Sequence, residues 1–235
     1  MKLITVAGPP ACGKTAVILK TAVELRGHAV HAGVVKFDCL ATDDDERYRR
    51  HGIPVQKGLS GSICPDHYFA SNIEESASWG AREELDILFT ESAGLCNRCS
   101  PHIRDVAAVA VIDVLGGINA PRKVGPMLRT ADYVVVTKGD IVSQAEREVF
   151  VARVRDANPR ARILPVNGLS GQGAFELARL LREEAPDRAD VTGSRLRYPM
   201  PGAVCSYCLG EQRIGSAHQI GNVATLDLTS AGGTP

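Results

Sequence analysis

Residues 2–15 read Lys2-Leu3-Ile4-Thr5-Val6-Ala7-Gly8-Pro9-Pro10-Ala11-Cys12-Gly13-Lys14-Thr15, and the reading of this stretch decides the fold. A short apolar run stops at a glycine, as a buried parallel strand does. The next eight residues fit G-x-x-x-x-G-K-T, a loop whose backbone N–H groups wrap phosphate oxygens. Residues 15–26 then read as a helix, closed by Gly27. A helix N-terminus carries partial positive charge, so phosphates seat there at little cost. In this pattern Gly8, Ala11, Cys12 and Gly13 line the phosphates, Lys14 reaches the β- and γ-phosphates, and Thr15 ligates Mg²⁺.

Working outward, apolar runs recur at residues 32–37, 85–90, 106–114, 133–137 and 162–166. Helical patterns lie at residues 43–50, 65–79, 143–156 and 173–184, with Pro65 suited to a first helical turn. Alternating strands and helices predict a three-layer α/β P-loop NTPase: a mostly parallel sheet with helices on both faces. Ligands then collect beyond the carboxyl ends of the strands, where the glycine-rich loop and the later motifs fall. The nucleotide-binding domain is expected to span residues 1–184. Residues 185–235 are expected to form a small cysteine-containing extension.

With 27 basic and 27 acidic residues the chain carries no net formal charge. This argues against a nucleic-acid or anionic-membrane surface, whose footprint is basic. No apolar run approaches the roughly 20 residues of a membrane helix, and the first residues lack a signal-peptide pattern. A cytoplasmic protein is expected. Seven cysteines then read as metal ligands or core residues before disulfides.

Two strand ends specify the nucleotide. The strand ending Thr90-Glu91-Ser92-Ala93-Gly94 places an acid where it can hold a magnesium-bound water, and a glycine N–H where it can sense the γ-phosphate. The strand ending Thr137-Lys138-Gly139-Asp140 places a carboxylate able to accept from guanine N1–H and the 2-amino group. Adenine offers neither donor there, so a buried acid would face ATP unpaired. Lys138 can lay its stem over the base, and Asn167-Gly168, opening the loop 167–173, can close on it. GTP is therefore expected, with Lys14, Thr15 and Glu91 serving its Mg²⁺-dependent hydrolysis.

The order and wording of these motifs resemble the SIMIBI-class metallochaperone GTPases UreG and HypB, with the CobW proteins more distant. The stretch Val111-Ile112-Asp113-Val114-Leu115-Gly116-Gly117-Ile118-Asn119-Ala120-Pro121-Arg122-Lys123-Val124-Gly125-Pro126 is similar to the UreG segment before the guanine motif. Glu91-Ser92-Ala93-Gly94 is similar to the family's acidic Walker B element. Asp38 and the run Thr42-Asp43-Asp44-Asp45 stand in the place of its switch region, which implies that Asp38 joins Lys14, Thr15 and Glu91 in serving hydrolysis. The resemblance covers roughly residues 1–181. It implies slow GTP hydrolysis, a nucleotide-dependent homodimer, and a client metalloenzyme or accessory maturation protein as partner.

Cys64-Pro65-Asp66-His67 stands where that family has its nickel-binding Cys-Pro-His or Cys-His motif, which usually lacks the intervening Asp66. Positions three apart on a helix share a face, so Cys64 and His67 could bind one ion. Thiolate with imidazole suits Ni²⁺ or Zn²⁺ far better than Mg²⁺. Cys96-Asn97-Arg98-Cys99 follows the γ-phosphate-sensing motif directly, and C-x-x-C lets both sulfurs reach one tetrahedral ion. The remaining ligands could come from a second protomer, from Cys64/His67, or from Cys205-Ser206-Tyr207-Cys208, with His102 a further candidate. The Cys205/Cys208 pair fits a zinc-knuckle half-site or an iron–sulfur ligand pair, with His218 nearby. A thioredoxin-like redox pair is the rival reading for either C-x-x-C. The rival for the whole chain is a metal- or redox-sensing switch that delivers nothing. A small-molecule kinase using ATP is a third reading, against which Asp140 argues.

Overall fold

A computed structural model describes residues 1–199, 210–219 and 223–228. Cys205 and Cys208 lie outside the described residues. Seven strands, β1 (Lys2–Ala7), β2 (Ala32–Asp38), β3 (Val55–Leu59), β4 (Ile87–Glu91), β5 (Ala107–Asp113), β6 (Tyr133–Thr137) and β7 (Arg162–Pro165), form one sheet in the order β3-β2-β4-β1-β5-β6-β7. Every pairing is parallel. β1, β4 and β6 are buried almost throughout, as strands covered on both faces must be.

The helices are α1 (Lys14–Gly27), α2 (Asp44–Arg50), α3 (Pro65–Arg82), α4 (Ala120–Lys123), α5 (Pro126–Arg129), α6 (Gln144–Ala157) and α7 (Ala174–Glu184). Val17, Ile18 and Leu25 of α1, Tyr48 of α2 and Leu177 and Leu181 of α7 pack with Ile4, Val6 and Val34 on one face of the sheet. The odd-numbered residues Leu3, Val35 and Phe37 turn to the other face and meet α3. There Phe37 and Phe69 meet edge-on, with ring centroids 5.0 Å apart. α5 and α6 cover the same face further along, through Met127, Leu128, Phe150 and Val154. α6 starts with a capping box in which Ser143 and Glu146 satisfy each other's backbone N–H.

The predicted strands and long helices are present within a few residues. β3 was not anticipated: Val-Gln-Lys-Gly-Leu has no clean alternation, and only Val55 and Gly58 are buried. Its place at the sheet edge needs little apolar surface. Beyond residue 185 the described segments pack back onto the domain. Val191, Leu196, Ile214 and Leu228 enter the α3-side core. The Asn72 side chain donates to the Ala224 carbonyl and accepts from Leu226 N–H. Arg197 donates to the Ile103, Val106 and Thr130 carbonyls and to both carboxylate oxygens of Asp132. No described helix is long and apolar enough to cross a membrane.

Candidate functional site

The β1–α1 loop lies at the sheet's centre, between the carboxyl ends of β4 and β5. Its approach to β5 and to the segment after β4 is close enough to exclude side chains. A Cβ on Gly94 (φ +74°) would stand 1.8 Å from the Gly8 carbonyl oxygen, and one on Gly8 would stand 2.1 Å from that of Val111. Lys14 is buried and curls over the loop, donating to the Gly8 and Pro9 carbonyls at 3.0 and 2.9 Å and to Ala93 at 3.5 Å. Its last acceptor belongs to the segment that carries Gly94 and the thiols. Cys12 contributes its backbone carbonyl, which accepts from Thr137 Oγ1 at 2.6 Å. Its thiol is buried, and burial pushes it up to about 11, so it stays protonated.

Beside Lys14 lies a cleft of about 370 Å³ whose polar wall is Thr15, Lys36, Asp38, Asp44, Arg47 and Glu91. Fully buried Glu91 accepts from Thr15 Oγ1 and Lys36 Nζ on one oxygen and from Tyr48 Oη on the other, all at 2.8 Å. Lys36 also lies 2.9 Å from Asp44 and 3.5 Å from Asp38. Burial opposes its charge, but the Glu91 and Asp44 carboxylates outweigh burial and hold the ammonium well above the usual lysine range. Burial likewise opposes the Asp44 carboxylate, yet Lys36 draws it below its ordinary value. Thr15, Asp38, Asp44 and Glu91 offer hard oxygen donors converging on one wall, a set that fits Mg²⁺. Lys36 and Tyr48 were not singled out in the sequence, and Asp44 stood only within the run 42–45. A lysine inside a strand carries no motif, and its meaning comes from carboxylates on three other positions.

A second cleft, of about 320 Å³, opens between β6 and the loop after β7, lined by Val136, Asp140, Arg147, Val166, Asn167 and Gln172. Asn167 Oδ1 accepts from Leu169 and Ser170 N–H, and its backbone pairs with Gln172 and Gly171, so the loop 167–173 is internally braced. Gly168 approaches α1, where a Cβ would meet Ala16. Lys138 bridges the two clefts, donating to the Ala11 carbonyl at 2.8 Å and pairing with Asp113 at 3.4 Å. Of the residues expected to hold the base, Asp140 and Asn167 line this cleft, and Thr137 and Lys138 are tied to the phosphate loop.

The thiols gather on the far side of Gly94. Ligand atoms of Asp66, Cys96 and Cys99 all lie within 4.8 Å of one another. Asp66 and Cys99 are buried and Cys96 is half-buried. Burial pushes the Asp66 carboxyl up to about 6, partly offset by a hydrogen bond from Cys99 and by the charge of Lys14. Burial, then Asp66, then Cys96 and Cys64 raise the Cys99 thiol well above its ordinary range. Cys64 is thus a near neighbour, although this three-ligand group does not include it. His67, on the first turn of α3, is fully buried and stands outside the group; burial lowers its pKa. The residue that joins the C-x-x-C pair is Asp66, the one that departs from the resembled motif. His102 is not a ligand: buried in the core, its Nδ1 pairs with Thr5 Oγ1 at 2.8 Å and its Nε2 with the Met127 carbonyl at 3.1 Å.

Residues 2–165 match the model of the CobW/HypB/UreG nucleotide-binding domain. An uncharacterized protein of Methanocaldococcus jannaschii is 48% identical over 227 residues, 97% of each chain. Urease accessory protein UreG 3 of Streptomyces griseus is 34% identical over 75% of this chain and 74% of its own. Among solved structures, the hydrogenase maturation factor HypB of Archaeoglobus fulgidus superposes with a TM-score of 0.61 at 25% identity, covering 77% of this chain and 89% of that one. The HypB of Helicobacter pylori, solved in complex with nickel, shares the fold at 20% identity and a TM-score of 0.62, over 80% and 90% of the two chains. Matched over most of its length, the chain belongs to the CobW/HypB/UreG nucleotide-binding domain family, on its HypB/UreG side.

Proposed function

We propose that the protein is a GTP-binding, GTP-hydrolysing metallochaperone that couples its nucleotide state to holding and releasing a transition metal, nickel foremost, for a client metalloenzyme. The observation that carries this reading is the shared segment 91–99. Glu91 belongs to the phosphate cleft, the Ala93 carbonyl is held by Lys14, Gly94 packs on Gly8, and Cys96 and Cys99 follow within five residues.

Mg²⁺, when bound, would be held through Thr15 and the carboxylate wall and would neutralise charge developing on the phosphates. Lys14 exchanges its loop carbonyls for phosphate oxygens, and the loop N–H groups orient the triphosphate. Catalysis is positioning and charge stabilisation with no covalent enzyme intermediate, which suits slow turnover. Releasing Ala93 frees the segment that presents Cys96 and Cys99. The metal is cargo: thiolates with one carboxylate suit Ni²⁺ or Zn²⁺, and a three-ligand set leaves room for a further donor from the client or a second protomer. Leu95, 57% exposed at the rim of the phosphate cleft, gives a GTP-dependent homodimer an apolar contact beside the metal.

Nucleotide specificity tests the reading. Equilibrium titration with labelled nucleotides in Mg²⁺ should show GTP bound at least about 100-fold tighter than ATP, and Asp140→Asn should abolish most of that preference, since guanine's two donors lose their charged acceptor. Equal affinity for GTP and ATP in the unmodified protein would overturn it.

A further inference from the structure

Lys36 has no part in the nucleotide motifs, yet its ammonium is buried among three carboxylates. Glu91, Asp44 and Asp38 surround it at 2.8, 2.9 and 3.5 Å, and its side chain is 5% exposed. Those carboxylates, with Thr15, are the oxygen donors that fit a divalent ion. The Glu91 oxygen that accepts from Thr15 Oγ1 is the same one that accepts from Lys36. The remaining Glu91 oxygen is taken by Tyr48, and Arg47 lies on the second oxygen of Asp44. Three carboxylates set against Lys36 and Arg47 still leave a net negative charge on the wall, which attracts a cation. The ammonium stands where such an ion would have to enter.

We propose that Lys36 is the tethered counter-ion of this wall, so that a divalent cation engages Glu91, Asp38 and Asp44 only by displacing the Lys36 ammonium, and does so together with the nucleotide. This rests on the reading of the cleft as an Mg²⁺–nucleotide site. The incoming phosphates bring negative charge to which the displaced ammonium can swing on its flexible stem, keeping the charge of the cleft balanced. A divalent ion arriving alone offers no such anion, and the ammonium would be left buried and unpaired. The cleft therefore discriminates against free divalent ions and admits the ion with its nucleotide. Displacement also passes Asp44, the first residue of α2, from the ammonium to the cation, so cation uptake and the position of α2 are linked.

The test is binding of Mn²⁺, a paramagnetic hard-cation probe, to nucleotide-free protein by electron paramagnetic resonance. Lys36→Met should bind Mn²⁺ at least tenfold tighter than the unmodified protein, whereas Lys36→Arg should bind no tighter. General damage to the fold would not raise the affinity. If Lys36→Met is poorly folded, Lys36→Met/Asp44→Asn restores the original net charge of the wall without an ammonium. It should still bind Mn²⁺ more tightly than the unmodified protein. Affinity no higher than the unmodified protein's in the folded variant overturns the proposal. Mg²⁺-dependent GTP binding by the unmodified protein is scored separately: its absence would overturn the nucleotide reading, whatever Mn²⁺ does in the variants.

Discussion

Thr5, His102 and Met127 form a chain of hydrogen bonds beneath the sheet that fixes one imidazole tautomer. The Met127 carbonyl can only accept, so Nε2 carries the proton, and Nδ1 accepts from the Thr5 hydroxyl. Complete burial, reinforced by Arg197, pushes His102 down to about 3. Between that value and the ordinary 6.5 the unfolded chain binds a proton that the folded chain refuses, so stability rises with pH across this window and is lost as pH falls through it. The loss amounts to up to about 5 kcal/mol at the acid end. Chemical denaturation from pH 7 down to 4 should show a steeper decline for the unmodified protein than for His102→Gln, which has no titrating ring. Parallel profiles would contradict the assignment. At this scale the sequence misleads in an instructive way. A histidine three residues past a C-x-x-C pair reads as a ligand, and only the fold reveals that both of its nitrogens are committed elsewhere. The converse holds for Asp66 and Lys36. Their roles come from neighbours distant in the chain, Cys96 and Cys99 for one, Glu91 and Asp44 for the other.

The segment 91–99 is the element on which the site depends, and its first half was legible. An apolar strand ending in an acid, with glycine three residues on, marks a strand end beside the phosphate loop, where Glu91 accepts from Thr15. The interlock of Gly94 with Gly8 was not legible, because a sequence does not say which loop faces which. Gly94→Ala tests it. The added methyl would overlap the Gly8 carbonyl at 1.8 Å, and the left-handed backbone itself costs ~1–2 kcal/mol for any side chain. The phosphate loop has to move, so GTP affinity should fall at least about 100-fold while circular dichroism shows the fold retained. Unchanged GTP affinity would remove this contact from the account. β3 shows the other limit of pattern reading. A five-residue edge strand is held by its ladder to β2 and by the Lys57–Asp45 pair at 3.0 Å, neither of which leaves a periodic signature.

Across the whole molecule, the sheet order brings four strand ends to one rim: β1 with the loop, β2 with Asp38, β4 with Glu91 and β6 with Asp140. Sequence pattern recovered this layout because parallel strands buried on both faces are almost continuously apolar and each motif sits directly after one. The segment beyond residue 185 was less legible. Its described parts carry no regular period and stay in place through scattered contacts such as Asn72 with Leu226 and Arg197 with Asp132. Glu91, Gly94, Cys96 and Cys99 lie on one chain segment, so the decisive measurement is Ni²⁺ affinity by anaerobic competition titration, with a non-hydrolysable GTP analogue and with GDP, each in Mg²⁺. The two states should differ at least about tenfold, equivalent to about 1.4 kcal/mol of coupling, and Cys99→Ser should abolish the difference. Equal Ni²⁺ affinity in both nucleotide states would mean that the nucleotide does not govern the metal.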